Sequence, residues 1–235
     1  MKLSVLLAAT LFAFASMASA APLCTAVGIT MADYVALGST GCQIGDKVFY
    51  NFFYSSSGSG LGAGVPAGAV VLSPVGADTY NPGIVFSSDN WFVPGPSSTG
   101  NSIIDASLGF TVTVLPGGNP IDDASLTLGS FVQAGAGIAT IGETVFAGDG
   151  FTQLGGRALG VSAGGQLVDE VHFANTSTIQ VKKDFELVVP AGSTGSVRVS
   201  SFTENFSEIP EPVGAILIGS GLLALGAWRR RGSRG

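Results

Sequence analysis

The chain contains a single histidine and two cysteines, and only 11% of its 235 residues are charged. One imidazole and two thiols cannot furnish the usual nitrogen and sulfur ligand set of a zinc enzyme. Between residues 21 and 212 there are five basic residues, Lys47, Arg157, Lys182, Lys183 and Arg198, against sixteen acidic ones, a net charge of −11. That balance excludes the basic patch with which a protein displaces counterions from nucleic acid. There is no long amphipathic helical pattern, no D-x-[DN]-x-[DN]-G loop and no repeat of fixed period. What abounds is glycine, 35 residues, within a chain that is 46% hydrophobic. Aromatic and β-branched residues are too frequent for a disordered chain.

The two ends read as targeting segments. Lys2 precedes a short apolar run, and Ala18-Ser19-Ala20 follows as an A-x-A site. This is the order of a secretory signal peptide over residues 1–20, with cleavage between Ala20 and Ala21. At the other end, residues 213–228 carry no charge. As a helix they span roughly 24 Å, enough for a transmembrane segment with flanking anchors. Trp228 suits the interface, and Arg229, Arg230 and Arg231 hold that end cytoplasmic, with the body outside. Pro210 and Pro212 block helix continuation and keep the preceding chain extended.

Pro210-Glu211-Pro212, then an apolar helix, then the arginine cluster, closely resembles the PEP-CTERM sorting signal of Gram-negative bacteria. The resemblance covers about the last 25 residues. It implies recognition by an exosortase at the inner membrane, cleavage near the motif, and delivery to the cell surface or exopolysaccharide matrix. A plain membrane anchor that is never cut is the alternative. Gly41-Cys42-Gln43-Ile44-Gly45-Asp46-Lys47 and then Phe49-Tyr50-Asn51-Phe52 also resemble the N-terminal part of many PEP-CTERM proteins. That second likeness implies no activity.

In an exported protein the pair Cys24 and Cys42 reads as a disulfide. Between them Thr30 as N-cap, Asp33 in the first turn and Gly38 as stop predict one short helix over 31–37. Residues 48–54 are apolar on both faces and predict a central buried strand. Further strands are expected over 69–75, 83–87, 102–115, 124–134, 137–146, 166–174, 177–189 and 195–202, separated by glycine-rich turns. The fold class expected is mainly β: an antiparallel, jelly-roll-like sandwich over 21–202 with one short N-terminal helix and a C-terminal transmembrane helix. Residues 203–209 read as a polar linker to the 210–235 signal.

Candidate chemistry is sparse. His172 lies in an expected strand and reads as a packed or surface residue. Asp122, Asp123, Asp169, Glu170, Asp184 and Glu186 are glycosidase carboxylates by type only, since that chemistry needs two acids across a cleft. Asp122, Asp123 and Asp149 could offer oxygens to calcium. Asn175 and Asn205 begin glycosylation sequons. Tyr80 and Trp91, near Pro/Gly-rich stretches, are the possible glycan contacts, with Phe92 expected in the core. No catalytic residue, metal ligand set or cofactor is expected. The function expected is that of a non-enzymatic cell-surface or matrix component with a structural or adhesive role. A carbohydrate-binding module is the first alternative, and a carboxylate-based glycoside hydrolase or lyase the second.

Overall fold

The computed structural model describes residues 21–96 and 100–208. The signal-peptide residues Ala18 and Ala20, the motif Pro210–Pro212, the helix 213–228 and Arg229–Arg231 lie outside the described residues. Among the described residues no helix is long and apolar enough to cross a membrane.

Two antiparallel sheets dominate. The first has six strands: β1 (Cys42–Ile44), β2 (Lys47–Ser59), β6 (Ser102–Val114), β12 (Thr178–Val189), β9 (Ile138–Ala147) and β10 (Leu159–Ser162), in that spatial order. The second has five: β11 (Val168–Thr176), β7 (Ile121–Leu128), β14 (Ser201–Asn205), β4 (Gly83–Ser87) and β3 (Val71–Val75). A small third sheet joins β5 (Phe92–Val93), β13 (Ser196–Val199) and β8 (Phe131–Ala134). The chain crosses repeatedly between the two large sheets, so six of their nine neighbouring strand pairs are not consecutive in sequence.

Inward side chains of the facing sheets form one aromatic core. Phe185 on β12 meets Phe202 on β14 at 6.0 Å, and Phe110 on β6 meets Phe86 on β4 at 6.1 Å between ring centroids. Phe86 and Phe202 stack at 4.9 Å within the second sheet. Each such fully buried side chain contributes roughly 1.5–3 kcal/mol. The period-two rule is clearest on β12, where Ile179, Val181, Phe185, Leu187 and Val189 point inward and Lys182, Asp184 and Glu186 outward.

The helix α1 (Met31–Ala36) starts with a capping box: Thr30 Oγ1 accepts from Asp33 N, and the Asp33 carboxylate accepts from Thr30 N. It is too short to stand alone. The Cys24–Cys42 disulfide ties its approach to β1, and Tyr34 sits edge-on to Phe52 at 5.1 Å. The disulfide expected from the sequence is therefore present, and it suits an oxidising compartment.

Three expectations need correction. Residues 48–54 are not buried on both faces: Asn51 is exposed and Phe53 is 40% exposed. The strand lies one place from the sheet edge, and the register shifts between Tyr50 and Phe53, where Asn51 has φ +52°. The apolar runs 124–134 and 195–202 are each two strands in different sheets, because Gly129–Ser130 and Ser200 are the crossing points. The linker reading of 203–209 also fails. Thr203–Asn205 belong to β14, inside the second sheet, and Phe206 is fully buried. The domain runs through Glu208.

Candidate functional site

A cavity of about 440 Å³ opens at one end of the sandwich. Three turns build its walls: the β1–β2 turn with Gly45 and Asp46, the β3–β4 loop with Asp78 and Tyr80, and the β6–β7 loop with Gly118 and Asn119. Glu208, just past β14, closes it.

The backbone geometry comes from glycine. Gly117, at φ +85°, lets the chain turn sharply after β6, and Gly118 N donates to Leu115 O at 2.9 Å. A Cβ on Gly118 would collide with the Asp46 carboxylate. The absence of a side chain therefore admits Asp46, whose Oδ2 accepts from Asn119 N at 2.7 Å.

Lys47 is the hub. Its side chain is fully buried, and Nζ donates to Asp46 Oδ1 at 2.9 Å, to Asn119 O at 3.1 Å and to Glu208 Oε1 at 2.5 Å. Glu208 Oε2 accepts from Asn119 Nδ2 at 3.1 Å, and Glu208 N donates to Tyr80 O at 3.0 Å. Every ammonium proton of Lys47 and both oxygens of Glu208 are thus satisfied within the protein. Burial pushes the Glu208 carboxyl up, and the neighbouring Asp46 adds to this; Lys47 and Asn119 offset it only in part. Burial also acts to raise Asp46, but hydrogen bonds, from Lys47 above all, outweigh it and hold that carboxyl low.

On this fixed floor stand groups that face solvent. Tyr80 is 58% exposed, and Asp78 is exposed beside it. The arrangement offers one aromatic face and the exposed Asp78 carboxylate to a polar ligand, above a hydrogen-bonded floor.

Of the aromatic contacts expected from the sequence, only Tyr80 is where a ligand could reach it. Trp91 is fully buried, with its ring 4.8 Å from Phe185 and 5.4 Å from Phe202. Val199 N donates to Trp91 O, which fixes the segment so that Trp91 and Val93 turn inward and Phe92 outward. Phe92 is 38% exposed, with the Arg198 guanidinium 5.0 Å above its ring, so the inside and outside members of this pair are reversed from expectation. A surface position for His172 is correct: its side chain is 72% exposed.

The carboxylates nominated from the sequence do not gather across one cleft, and none of them lines the Tyr80 cavity. Asp169 is held by a bidentate pair with Arg157, at 2.8 and 2.7 Å, which keeps its carboxyl well below the usual carboxylate range. Asp184 and Glu186 point to solvent from the outer face of β12. Asp149 spends its oxygens on Phe151 N, Thr152 N and Thr152 Oγ1 in its own loop. Asp123 instead lies near Glu170 and His172. Sequence reasoning missed Lys47, Asn119 and Glu208, which meet only through the fold. It also missed the buried lysine Lys183, although strict alternation along 177–189 places it on the inward face.

No protein-family model matches the chain, and no curated protein matches it in sequence. Among solved structures there are weak, partial likenesses. One is TmCBM61 in complex with beta-1,4-galactotriose, 16% identical over 66% of this chain and 88% of that one, with a TM-score of 0.28. Another is a family 11 carbohydrate-binding module from Clostridium thermocellum in complex with a mixed-linked tetrasaccharide, 10% identical over 67% and 88%, TM-score 0.18. A third is endoglucanase 3 of family GH12 from Trichoderma harzianum, 11% identical over 66% and 98%, TM-score 0.22. Likeness of this degree carries no argument about activity, which rests on the cleft itself.

Proposed function

We propose that the chain is an exported surface or matrix protein whose β-sandwich binds carbohydrate in the Tyr80 cleft. The observation that carries this reading is the combination of an exposed tyrosine with a rigid polar floor. Aromatic faces suit the apolar faces of sugar rings, and a few fixed polar atoms select among hydroxyls. The cleft is shallow and polar, which fits a soluble polymer better than an apolar ligand. The disulfide and the acidic surface fit an extracellular setting. Both oxygens of Glu208 are taken by Lys47 and Asn119, which supports a fixed, structural place for it in the floor of the cleft.

The first test is affinity electrophoresis of the full chain through gels containing single polysaccharides, including matrix polysaccharide from the host. Retardation by at least one is expected, with Tyr80→Ala weakening it about tenfold or more. Failure of every polysaccharide to retard the protein would overturn the reading.

Delivery is proposed on the end signals: signal-peptide removal, exosortase recognition of Pro210-Glu211-Pro212, and transient residence in the inner membrane. Intact masses from membrane and extracellular fractions of the host test it. An extracellular species beginning at Ala21 and ending near 210–212 is expected. A sole species extending to Gly235 would show a retained anchor instead.

A further inference from the structure

A buried charge cluster between the two large sheets serves neither the cleft nor the end signals, and its reading is independent of the carbohydrate one. Lys183 on β12 lies directly opposite Glu143 on β9 in one sheet, and Glu204 reaches both from β14 in the facing sheet. All three side chains are closed to solvent. Each is flanked along its strand by inward hydrophobic residues: Val181 and Phe185 beside Lys183, Ile141 and Val145 beside Glu143, Phe202 and Phe206 beside Glu204. Lys183 Nζ meets Glu143 Oε2 and stands 2.5 Å from Glu204 Oε2. The other oxygens, Glu143 Oε1 and Glu204 Oε1, are buried and have no hydrogen-bond partner.

Such an arrangement is poor as an ion cluster and well set as a reacting one. One ammonium faces two carboxylates, so a negative charge is left over in an apolar core, and two acceptor atoms go unsatisfied. Burial lowers the pKa of Lys183 and raises that of Glu204 to about 7, and their mutual attraction offsets only part of this. Both shifts favour the neutral forms, a free amine beside a carboxylic acid. A lysine amine desolvated among apolar side chains is an activated nucleophile. Held against a carboxyl group by packed strands, it acts at an effective concentration of up to about 10⁵–10⁸ M. A site closed to solvent also protects the product from hydrolysis. Lys47 is the contrast: its Nζ has three acceptors, and its partner Asp46 is 29% exposed, so the charges there are satisfied as ions.

We propose that Lys183 and Glu143 join in an intramolecular isopeptide bond, with Glu204 as the proton carrier. Nζ attacks Cδ of Glu143; the C–N bond forms and one C–O bond of the carboxyl group breaks. Two of the three ammonium protons pass through Glu204 to the departing oxygen, which leaves as water, and the third stays on the amide nitrogen. Glu204 ends as it began, nothing is oxidised or reduced, and no co-reactant is needed. The amide is neutral and replaces a buried ion pair. It ties β9 to β12 across positions 40 apart in sequence. The protein thereby gains a cross-link besides Cys24–Cys42, and reducing agents do not open it. Until the bond forms, the three charges are an ion-paired triad, the reactant state, whose stability is measured on unlinked chain.

The full chain is denatured, reduced, digested with trypsin and mapped by tandem mass spectrometry. The expected product is a branched peptide that joins the segments carrying Glu143 and Lys183, lighter by one water than their sum, with no cleavage after Lys183. Glu143→Ala should abolish it. Glu204→Gln should slow its formation about a hundredfold or more, read as the linked fraction against time after synthesis. Quantitative recovery of the two segments unlinked from the wild-type chain would overturn the proposal, and that result does not depend on the folding of any variant. A branch through Glu204 instead of Glu143 would overturn the assignment of roles. Undiminished linkage in Glu204→Gln would overturn its part as proton carrier.

Discussion

Two lysines among the described residues are fully buried, and each sits between two carboxylates, yet the two regions are built for different ends. Lys183 lies between the large sheets, paired with Glu143 on its own sheet and with Glu204 on the facing one, at 2.5 Å from the latter. All three side chains are fully buried, and one oxygen of each glutamate has no partner. Burial pushes Lys183 down and Glu204 up to about 7, with their mutual attraction offsetting only part of that cost. Lys47 lies at the cleft, where the Asp46 side chain is 29% exposed and neither Asp46 nor Glu208 has a buried oxygen without a partner. Chemistry that is nearly the same in composition thus makes a dry cross-sheet tie in one place and the floor of a binding cleft in the other. What separates them is access to water for one acid and full saturation of the rest.

The comparison can be broken at its strongest point first. Lys183→Ala leaves two carboxylates in the core without a counter-charge and should cost about 3–5 kcal/mol in urea unfolding. Replacing the triad together, as Glu143→Gln, Lys183→Met and Glu204→Gln, should recover most of that loss, because the desolvated charges go with it. A triple variant no more stable than Lys183→Ala would show that the triad contributes net stability.

The same triad has a pH signature. The folded-state pKa of Glu204 lies above its ordinary value of 4.5, at about 7. Its contribution is therefore fully present below pH 4.5 and is lost as pH rises towards 7. The urea midpoint should decline over that window, and Glu204→Gln should flatten the decline. Asp169 has the opposite sign: its carboxyl is depressed by Arg157, so its contribution is present above 3.8 and is lost as pH falls further.

At the cleft, Lys47→Met should cost less than Lys183→Ala, roughly 1–3 kcal/mol, since Asp46 can turn to water. It should nonetheless abolish polysaccharide retardation, because Asp46, Asn119 and Glu208 lose their common anchor. The smallest effect on stability is expected for Tyr80→Ala, within about 0.5 kcal/mol, alongside the largest selective loss of binding. A large fall in stability with Tyr80→Ala would mean that the ring is structural rather than a ligand contact.

Much of the fold is legible in local pattern. Residues 83–87 were expected as a strand and are β4 residue for residue, and 102–115 and 177–189 match β6 and β12 to within one residue at each end. The capping box at Thr30 and Asp33 is equally local. The failures have one cause. A continuous apolar run does not reveal where a chain changes sheets, so β7 and β8 merged into one, as did β13 and β14. The polar look of 203–209 hid a strand, because Glu204 is compensated by Lys183 and not by water. Of the site, Tyr80 could be nominated by type, but Trp91 could not be told apart from it, since both are aromatics near turns.

By itself the sequence determined the β class, the turns, the short capped helix and the disulfide partners. Each of these follows from backbone preference, side-chain period or the presence of just two cysteines. The tertiary structure alone decided which charges meet. Lys47 and Glu208 are 161 positions apart, and His172 finds Asp123 only through the β7–β11 register. Such pairs form where strands distant in sequence are brought into alignment, and the cost of leaving a buried charge unpaired is settled there, across the sheets, rather than along the chain.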